Sequence, residues 1–318
     1  MSESPYEGTF RERIAVNRRN SVLLITAFLA FVAVFGYIIG YAWIGDPTGA
    51  LFGLGLAFVA GTISGLATYY GGDRMVLAAS RAQETSHDNA PVLFNVVEEM
   101  AIAAGLPMPK VYIIDDSAPN AFATGRDPEH ASVAVTSGLL EKLDRDELQG
   151  VIAHEMSHVG NFDIRYAMLV GVLVGTTVLI SDFFLRGLWF SGGGRRREGG
   201  GQAQVIMLVI AVVLAILAPL LARLIQLSIS RQREFLADAS AVQLTRNPKG
   251  LADALQKISG DREVLEAANR ATAHLYIVNP IKAFEKRSKG LFSTHPPIEQ
   301  RIEILRQMET GGPVDTTG

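Results

Sequence analysis

The run His154-Glu155-Met156-Ser157-His158 sets two imidazoles four residues apart. On a helix that spacing puts both on one face, where they can reach a single tetrahedral cation. Glu155 projects about 100° around the helix from His154, close enough to act on water beside such a cation without being forced to ligate. The chemistry this suits is metal-assisted hydrolysis with a carboxylate base. The chain contains no cysteine, which excludes disulfides, iron–sulfur clusters, thiolate zinc sites and a cysteine nucleophile. Any metal must be held by His and carboxylate.

A third ligand is then needed. The segment Arg233-Glu234-Phe235-Leu236-Ala237-Asp238 offers two acids, Glu234 and Asp238, again four apart. One can bind metal while the other accepts the free N–H of a ligand imidazole, the usual orienting device at such sites. The same spacing also suits a solvated helix face on which Arg231 and Arg233 pair with the acids.

The elements that must position these groups are readable around them. Asp144 with Glu147 forms a capping-box pattern that opens the His154 helix, expected to run through about Phe162. Ala90 to Gly105 reads as a helix ended by its glycine, with Pro107 and Pro109 beyond. Lys110 to Ile114 reads as a strand; Asn120 to Thr124 and Ala131 to Thr136 flank a turn and read as a hairpin. A small sheet of about three strands follows. Helices are expected to end before Asn247-Pro248 and to cover about Leu251–Ser259, Asp261–Leu275 and Pro297–Met308.

Only 19% of the 318 residues are charged, against about 25% in an ordinary soluble domain. The deficit lies in apolar runs near the length that crosses a bilayer as a helix. Ser21 to Trp43 and Gly49 to Tyr70 are uncharged, with Gly49/Gly53 and Gly61/Gly65 spaced for close helix approach. Ala167 to Ser181 is a short third run that meets Asp182 and Arg186, and Gly201 to Ala222 is the fourth. Arg11, Arg13, Arg18 and Arg19 place the N-terminus in the cytoplasm. The run Arg195-Arg196-Arg197 conflicts with that rule if segments three and four both cross. The net charge of −3 speaks against a nucleic-acid partner. The resulting division is a cytoplasmic segment (1–20), a transmembrane hairpin (21–70), a first polar half with the His154 helix (71–166), a second apolar hairpin (167–222), a second polar half (223–310) and a disordered tail (311–318). His158 and Glu234 stand close to segments three and four, so continuous helices through those segments would carry both. Both ligand sets then lie on one side of the membrane, and the chain between them crosses twice or not at all.

Asn120 to Gly125 (Asn-Ala-Phe-Ala-Thr-Gly), the His-Glu-x-x-His at 154–158, Glu234-x-x-x-Asp238 and Ser293-Thr294-His295-Pro296-Pro297 occur in that order. Together with two apolar segments on each side of the His-Glu-x-x-His motif, they resemble the HtpX family of membrane zinc metalloproteases across about residues 20–310. The resemblance implies a mainly α membrane protein: four apolar helical segments plus an α+β, zincin-like protease domain. It implies one zinc ion (Zn2+) held by His154, His158 and Glu234, with Glu155 as catalytic base. Asp238 would support a ligand histidine, and Asp163 stands where the family has an acid at the end of the zinc helix. His295 is the candidate oxyanion donor, although a core or capping role suits it equally; His87, His130 and His274 read as surface or local structural residues. An edge strand beside the cleft would hold substrate, through Asn120, Ala121 and Phe122 or through Ala131 to Thr136; Asn120 serves equally as a turn residue. The implied partners are a lipid bilayer and polypeptide substrates, with quality control of damaged membrane proteins at the cytoplasmic face of the plasma membrane. A membrane scaffold with a structural metal site is the non-enzyme alternative. A protease cutting within the bilayer is a third reading, opposed by the polar opening Lys142 to Glu147.

Overall fold

The computed structural model describes residues 10–44, 46–173, 231–268, 272–278, 280 and 296–310. Two long helices open it, α1 (Phe10–Ile44) and α2 (Pro47–Ala79). Both are apolar and long enough to cross a membrane, with only 12% and 11% of their most apolar windows buried. Leu23, Phe52, Leu56, Phe58 and Ile63 stand exposed along them. A face this apolar is unsuited to water and matches a lipid surface.

The two helices meet at glycines. A Cβ on Gly53 would lie 2.8 Å from Gly40 Cα, so the crossing tolerates no side chain there. Gly49 and Gly53 therefore face Gly36 and Gly40 of α1, a second small-residue pair at the same spacing. Gly65, by contrast, faces open space and Gly61 meets only Val32 and Leu29. Of the two glycine pairs picked out in α2, one makes the close crossing.

The remaining labelled elements are β1 (Gln83–Glu84), α3 (Pro91–Ala104), β2 (Lys110–Ile114), β3 (Ala121–Gly125), β4 (Ala131–Thr136), α4 (Ser137–Lys142) and α5 (Arg145–Gly160). After the gap in description come α6 (Arg231–Thr245), α7 (Pro248–Gly260) and α8 (Ile298–Glu309). The sheet has four strands in the order β1-β2-β4-β3, not three. The extra strand is two exposed polar residues, too short to show alternation. β2 and β4 pair in parallel and β3 and β4 antiparallel, which puts β4 inside and β3 at an edge.

Both faces of the sheet are covered, so β3 and β4 are buried throughout. Ala121, Ala123, Val133 and Val135 face the cluster built on α3, α5 and α7. Ile114, Phe122 and Ala134 face a second cluster with Leu24, Val76, Leu77, Met168 and Leu169. The sheet thus joins the helical layer of α5 to the feet of α1 and α2.

Two expectations need correction. Among the described residues of the segment 261–275, 261–268 are not helical and Ala273–Leu275 form a short 3-10 turn. Asp261 Oδ1 accepts the Glu263 N–H at 2.8 Å and Asp116 Oδ2 that of Ala267 at 3.0 Å, so side chains take over the backbone donors. Likewise α5 does not run on into the third apolar segment. It is capped at Asn161, Phe162 takes a positive φ of 61°, and a new helical stretch begins at 163. Within the third segment 167–173 are helical, and Met168, Leu169, Val170, Val172 and Leu173 are buried in the cluster that holds Leu24 of α1 and Val76 and Leu77 of α2. The rest of that segment, the fourth segment, Arg195 to Arg197, His295 and the tail 311–318 lie outside the described residues.

Candidate metal centre

Helix α5 supplies the core of the site, and its start is fixed locally. Glu147 N–H donates to Asp144 Oδ1 at 2.9 Å, and Asp144 N–H to Glu147 Oε2 at 2.8 Å, closing the capping box. Three turns on, His154 and Glu155 are buried at 0% and 2% exposure, with Val151, Ile152, Met156 and Val159 filling the surrounding core. His158, one turn further, reaches the open side of a cleft that it lines with Glu155, Glu234 and Ala123.

Each imidazole is oriented by a carboxylate. His154 Nδ1 lies 2.9 Å from Asp238 Oδ1, and His158 Nδ1 lies 3.1 Å from Asp163 Oδ2. A carboxylate only accepts, so both Nδ1 atoms carry the proton and both Nε2 atoms of the neutral rings present lone pairs. Those two Nε2 atoms point at each other, 3.2 Å apart. Glu234, brought in by α6, sets Oε2 at 3.8 Å from His154 Nε2 and Oε1 at 3.6 Å from His158 Nε2. The three ligand atoms lie within 4.8 Å of one another. When both rings are neutral, two lone pairs and a carboxylate converge on one point, an arrangement that a proton or a metal cation relieves. The donor set of two imidazoles and one carboxylate fits zinc.

The electrostatics agree. Burial works to lower the His158 pKa, but the hydrogen bond to Asp163 and the charges of Glu234, Asp163 and Glu155 outweigh it and raise it to about 9. That is a strongly negative potential where positive charge is wanted. Burial lowers His154, which is wholly enclosed. Glu155 is pushed up to about 7, chiefly by burial, with Glu234 adding to the rise and His158, the Ala123 backbone and Arg301 opposing it.

One residue that sequence reasoning did not single out completes the cluster. Arg301 of α8 is fully buried. Its Nε and Nη2 grip Asp238 at 2.8 and 2.7 Å, its Nη1 donates to the Ile277 carbonyl at 3.1 Å and lies 3.2 Å from Glu234 Oε2. Asp238 would be raised by burial, yet Arg301 holds it below the usual carboxylate range. The signal was present: Ile298, Arg301, Leu305 and Met308 share one helix stripe, and Arg301 is its one charge.

The residues expected to bind substrate sit otherwise than a contact surface would. Ala121 and Phe122 are fully buried, Phe122 against the Tyr276 ring at 5.0 Å. Asn120 steadies a backbone, but one of this chain: its Nδ2 donates to the Val278 carbonyl at 2.9 Å, while Ile277 N–H donates to the Ala121 carbonyl at 3.0 Å. Ala131 to Thr136 is the inner strand β4. Ala123 is the β3 residue that lines the cleft, facing His274, Leu275, Tyr276 and Ile277. His274 is therefore a wall of the site and not a surface residue; its Nε2 lies 3.0 Å from the Ala167 carbonyl oxygen. His87 and His130 are exposed and pair locally with Asn95 and Asp127.

The family model of peptidase family M48 matches residues 86–309, which hold every residue of this cluster. The chain belongs to peptidase family M48. It is a metalloprotease. Among curated relatives, a Protease HtpX homolog of Listeria monocytogenes is 47% identical over 306 residues, covering 93% of this chain and 99% of the relative. One from Streptococcus gordonii is 44% identical over 299 residues with the same coverage. A looser likeness, with a TM-score of 0.45 and 17% identity, links the M48 chain to Ste24p of S. mikatae; it covers 91% of this chain and 65% of that one.

Proposed function

We propose that this chain is a membrane-anchored zinc endopeptidase acting on polypeptides at the cytoplasmic face, with misfolded or damaged membrane proteins as substrates. The observation that carries it is the convergence of His154 Nε2, His158 Nε2 and Glu234, 3.2–3.8 Å apart, beside a buried carboxylate that does not join them. Zinc bound there would supply Lewis acidity, polarising a peptide carbonyl and acidifying water. His154, His158 and Glu234 would hold it. Asp238 and Asp163 fix the two rings in the tautomer that presents Nε2.

Glu155 moves the proton. With its pKa raised to about 7 it can take a proton from attacking water and return it to the leaving amine, both near neutral pH. Glu155 and Ala123 of the edge strand β3 line the same cleft, where an extended peptide would lie. His295 stays the candidate oxyanion donor, on the approach to α8.

The contact between α1 and the metal centre supports the cytoplasmic reading. Asn17, next to the basic N-terminal end, touches Asp163, which supports a site on that same side of the bilayer. The hairpin of α1 and α2 brings the chain back to that side.

The test is degradation of a membrane-protein substrate by purified protein, wild type against Glu155→Gln, with zinc measured on both. The expected result is loss of cleavage by several orders of magnitude with about one zinc per chain retained. Cleavage surviving in Glu155→Gln removes Glu155 from the mechanism. Glu234→Ala should lose the zinc outright; a variant that keeps it overturns the ligand set.

A further inference from the structure

Asn17 stands on α1 just before the uncharged stretch, flanked by Arg18 and Arg19, and is only 3% exposed. Its Nδ2 lies 2.9 Å from the Asn161 carbonyl oxygen and 2.7 Å from Asp163 Oδ1. Both neighbours only accept, so the amide must turn its nitrogen to them and both its hydrogens are used. The other oxygen of Asp163 takes the His158 Nδ1–H at 3.1 Å. An unbroken hydrogen-bonded path therefore runs from a membrane helix to the His158 imidazole. Arg18 lies over the Phe162 ring at 4.6 Å, docking the same turn of α1 on the same turn after α5.

We propose that Asn17 is a positioning residue of the metal centre, clamping the Asn161–Asp163 turn so that Asp163 holds His158 in its ligating tautomer. The membrane hairpin is then a working part of the site and not only its anchor. The inference rests on His158 being a ligand.

The physical need is specific. Asp163 lies outside α5, beyond the positive-φ Phe162, so the helix does not fix its carboxylate. Its rotation must be set by donors. An amide sets it without a positive charge, which leaves the carboxylate basic toward the imidazole N–H. Arg233, whose Nε is 3.6 Å from Asp163 Oδ1, stands further off than the amide. Within its own helix, the Asn17 carbonyl accepts the Ser21 hydroxyl at 2.9 Å.

The test uses the full chain in detergent and reads zinc affinity against a competing chelator, with Tm and peptide cleavage alongside. Asn17→Asp keeps the shape and replaces the donor by an acceptor facing Asp163. It should lower zinc affinity about 10-fold, the lower end of what an outer partner of a ligand contributes, and Asn17→Ala about 5-fold. Ser21→Ala should leave affinity unchanged. Combined with Asp163→Ala, Asn17→Ala should have no further effect on zinc, because the path is already cut. Wild-type affinity in both Asn17 variants overturns the proposal. So does a fall in Tm with affinity intact, or an affinity loss that adds to that of Asp163→Ala, since either marks a purely structural role. His158→Ala separates the two readings. Zinc retained in His158→Ala sinks the ligand assignment, whereas zinc lost there but held normally in Asn17→Asp sinks the Asn17 proposal alone.

Discussion

His154 and His158 sit one turn apart on the same helix, each with a carboxylate on Nδ1, yet the two braces are built differently. Around His154 everything is closed: the ring, Asp238 and Arg301 are at most 2% exposed, and the guanidinium holds Asp238 through two bonds. Around His158 the site is open. Its side chain is 16% exposed, and Asp163 is held by a neutral amide from α1 and by a more distant Arg233. A closed ionic pair has no water to fall back on, so losing one partner strands the other at full cost. An open pair can substitute water for a lost partner. One imidazole is thus fixed when the protease core folds, and the other depends on how the membrane helix docks.

The largest effect should follow from opening the closed side. Arg301→Met removes the cation between two buried carboxylates, and breaking such a pair costs about 3–5 kcal/mol. Denaturant melts of the full chain would show it as a lower midpoint with unchanged slope. Arg301→Lys keeps the charge but loses the fork and should fall between the two. A loss under about 1 kcal/mol for Arg301→Met would mean that water reaches Asp238, against the enclosure described here.

The two carboxylates can be set directly against each other. Asp238→Ala should lower zinc affinity toward 100-fold and Asp163→Ala toward 10-fold, the two ends of the usual range for such partners. Chelator competition at neutral pH measures both. The reverse order would break the contrast between closed and open sides.

How much of this was legible in the sequence depends on distance along the chain. The His154/His158 and Glu234/Asp238 pairs each follow from the four-residue spacing of a single helix, and the capping box at Asp144 is equally local. That α5 and α6 converge was not local: the need for a third ligand made Glu234 a candidate, and the resemblance to a known family decided between it and a solvated helix face. Arg301 hid because a helix that looks amphipathic hides one charge on its apolar stripe, while His295 nearby drew the chemical reading. Asn17 hid at the foot of an apolar helix, where a polar residue looks like mere solvation. The start of the 261–275 segment misled in the opposite way: the composition allows a helix, but within 261–268 Asp261 and Asp116 claim the Glu263 and Ala267 backbone donors. Gly36 and Gly40 carry the same spacing as Gly49 and Gly53 and were readable, since small residues four apart face one way on any helix.

The smallest expected effect serves as the control for burial itself. Arg306 lies on the same helix as Arg301, and it too pairs with an aspartate, Asp253 of α7. Here the arginine side chain is 37% exposed and the aspartate 23%. Water competes for both groups, so Arg306→Ala should cost only ~0.2–1 kcal/mol, less at high salt. The pH dependence has a definite sign. Burial alone would raise the Asp253 pKa, but hydrogen bonds from Lys249 and Arg306 outweigh it and hold the carboxyl below its ordinary 3.8. A carboxyl with a depressed folded pKa stabilises the protein above its unfolded value and loses that contribution as pH falls through the folded one. Melts of wild type and Asp253→Asn should therefore differ slightly at pH 7 and converge as pH drops below 3.8. If instead Arg306→Ala destabilised the chain as much as Arg301→Met, exposure would not be what separates the two arginines. The account of the closed side of the metal centre would then need a cause other than burial.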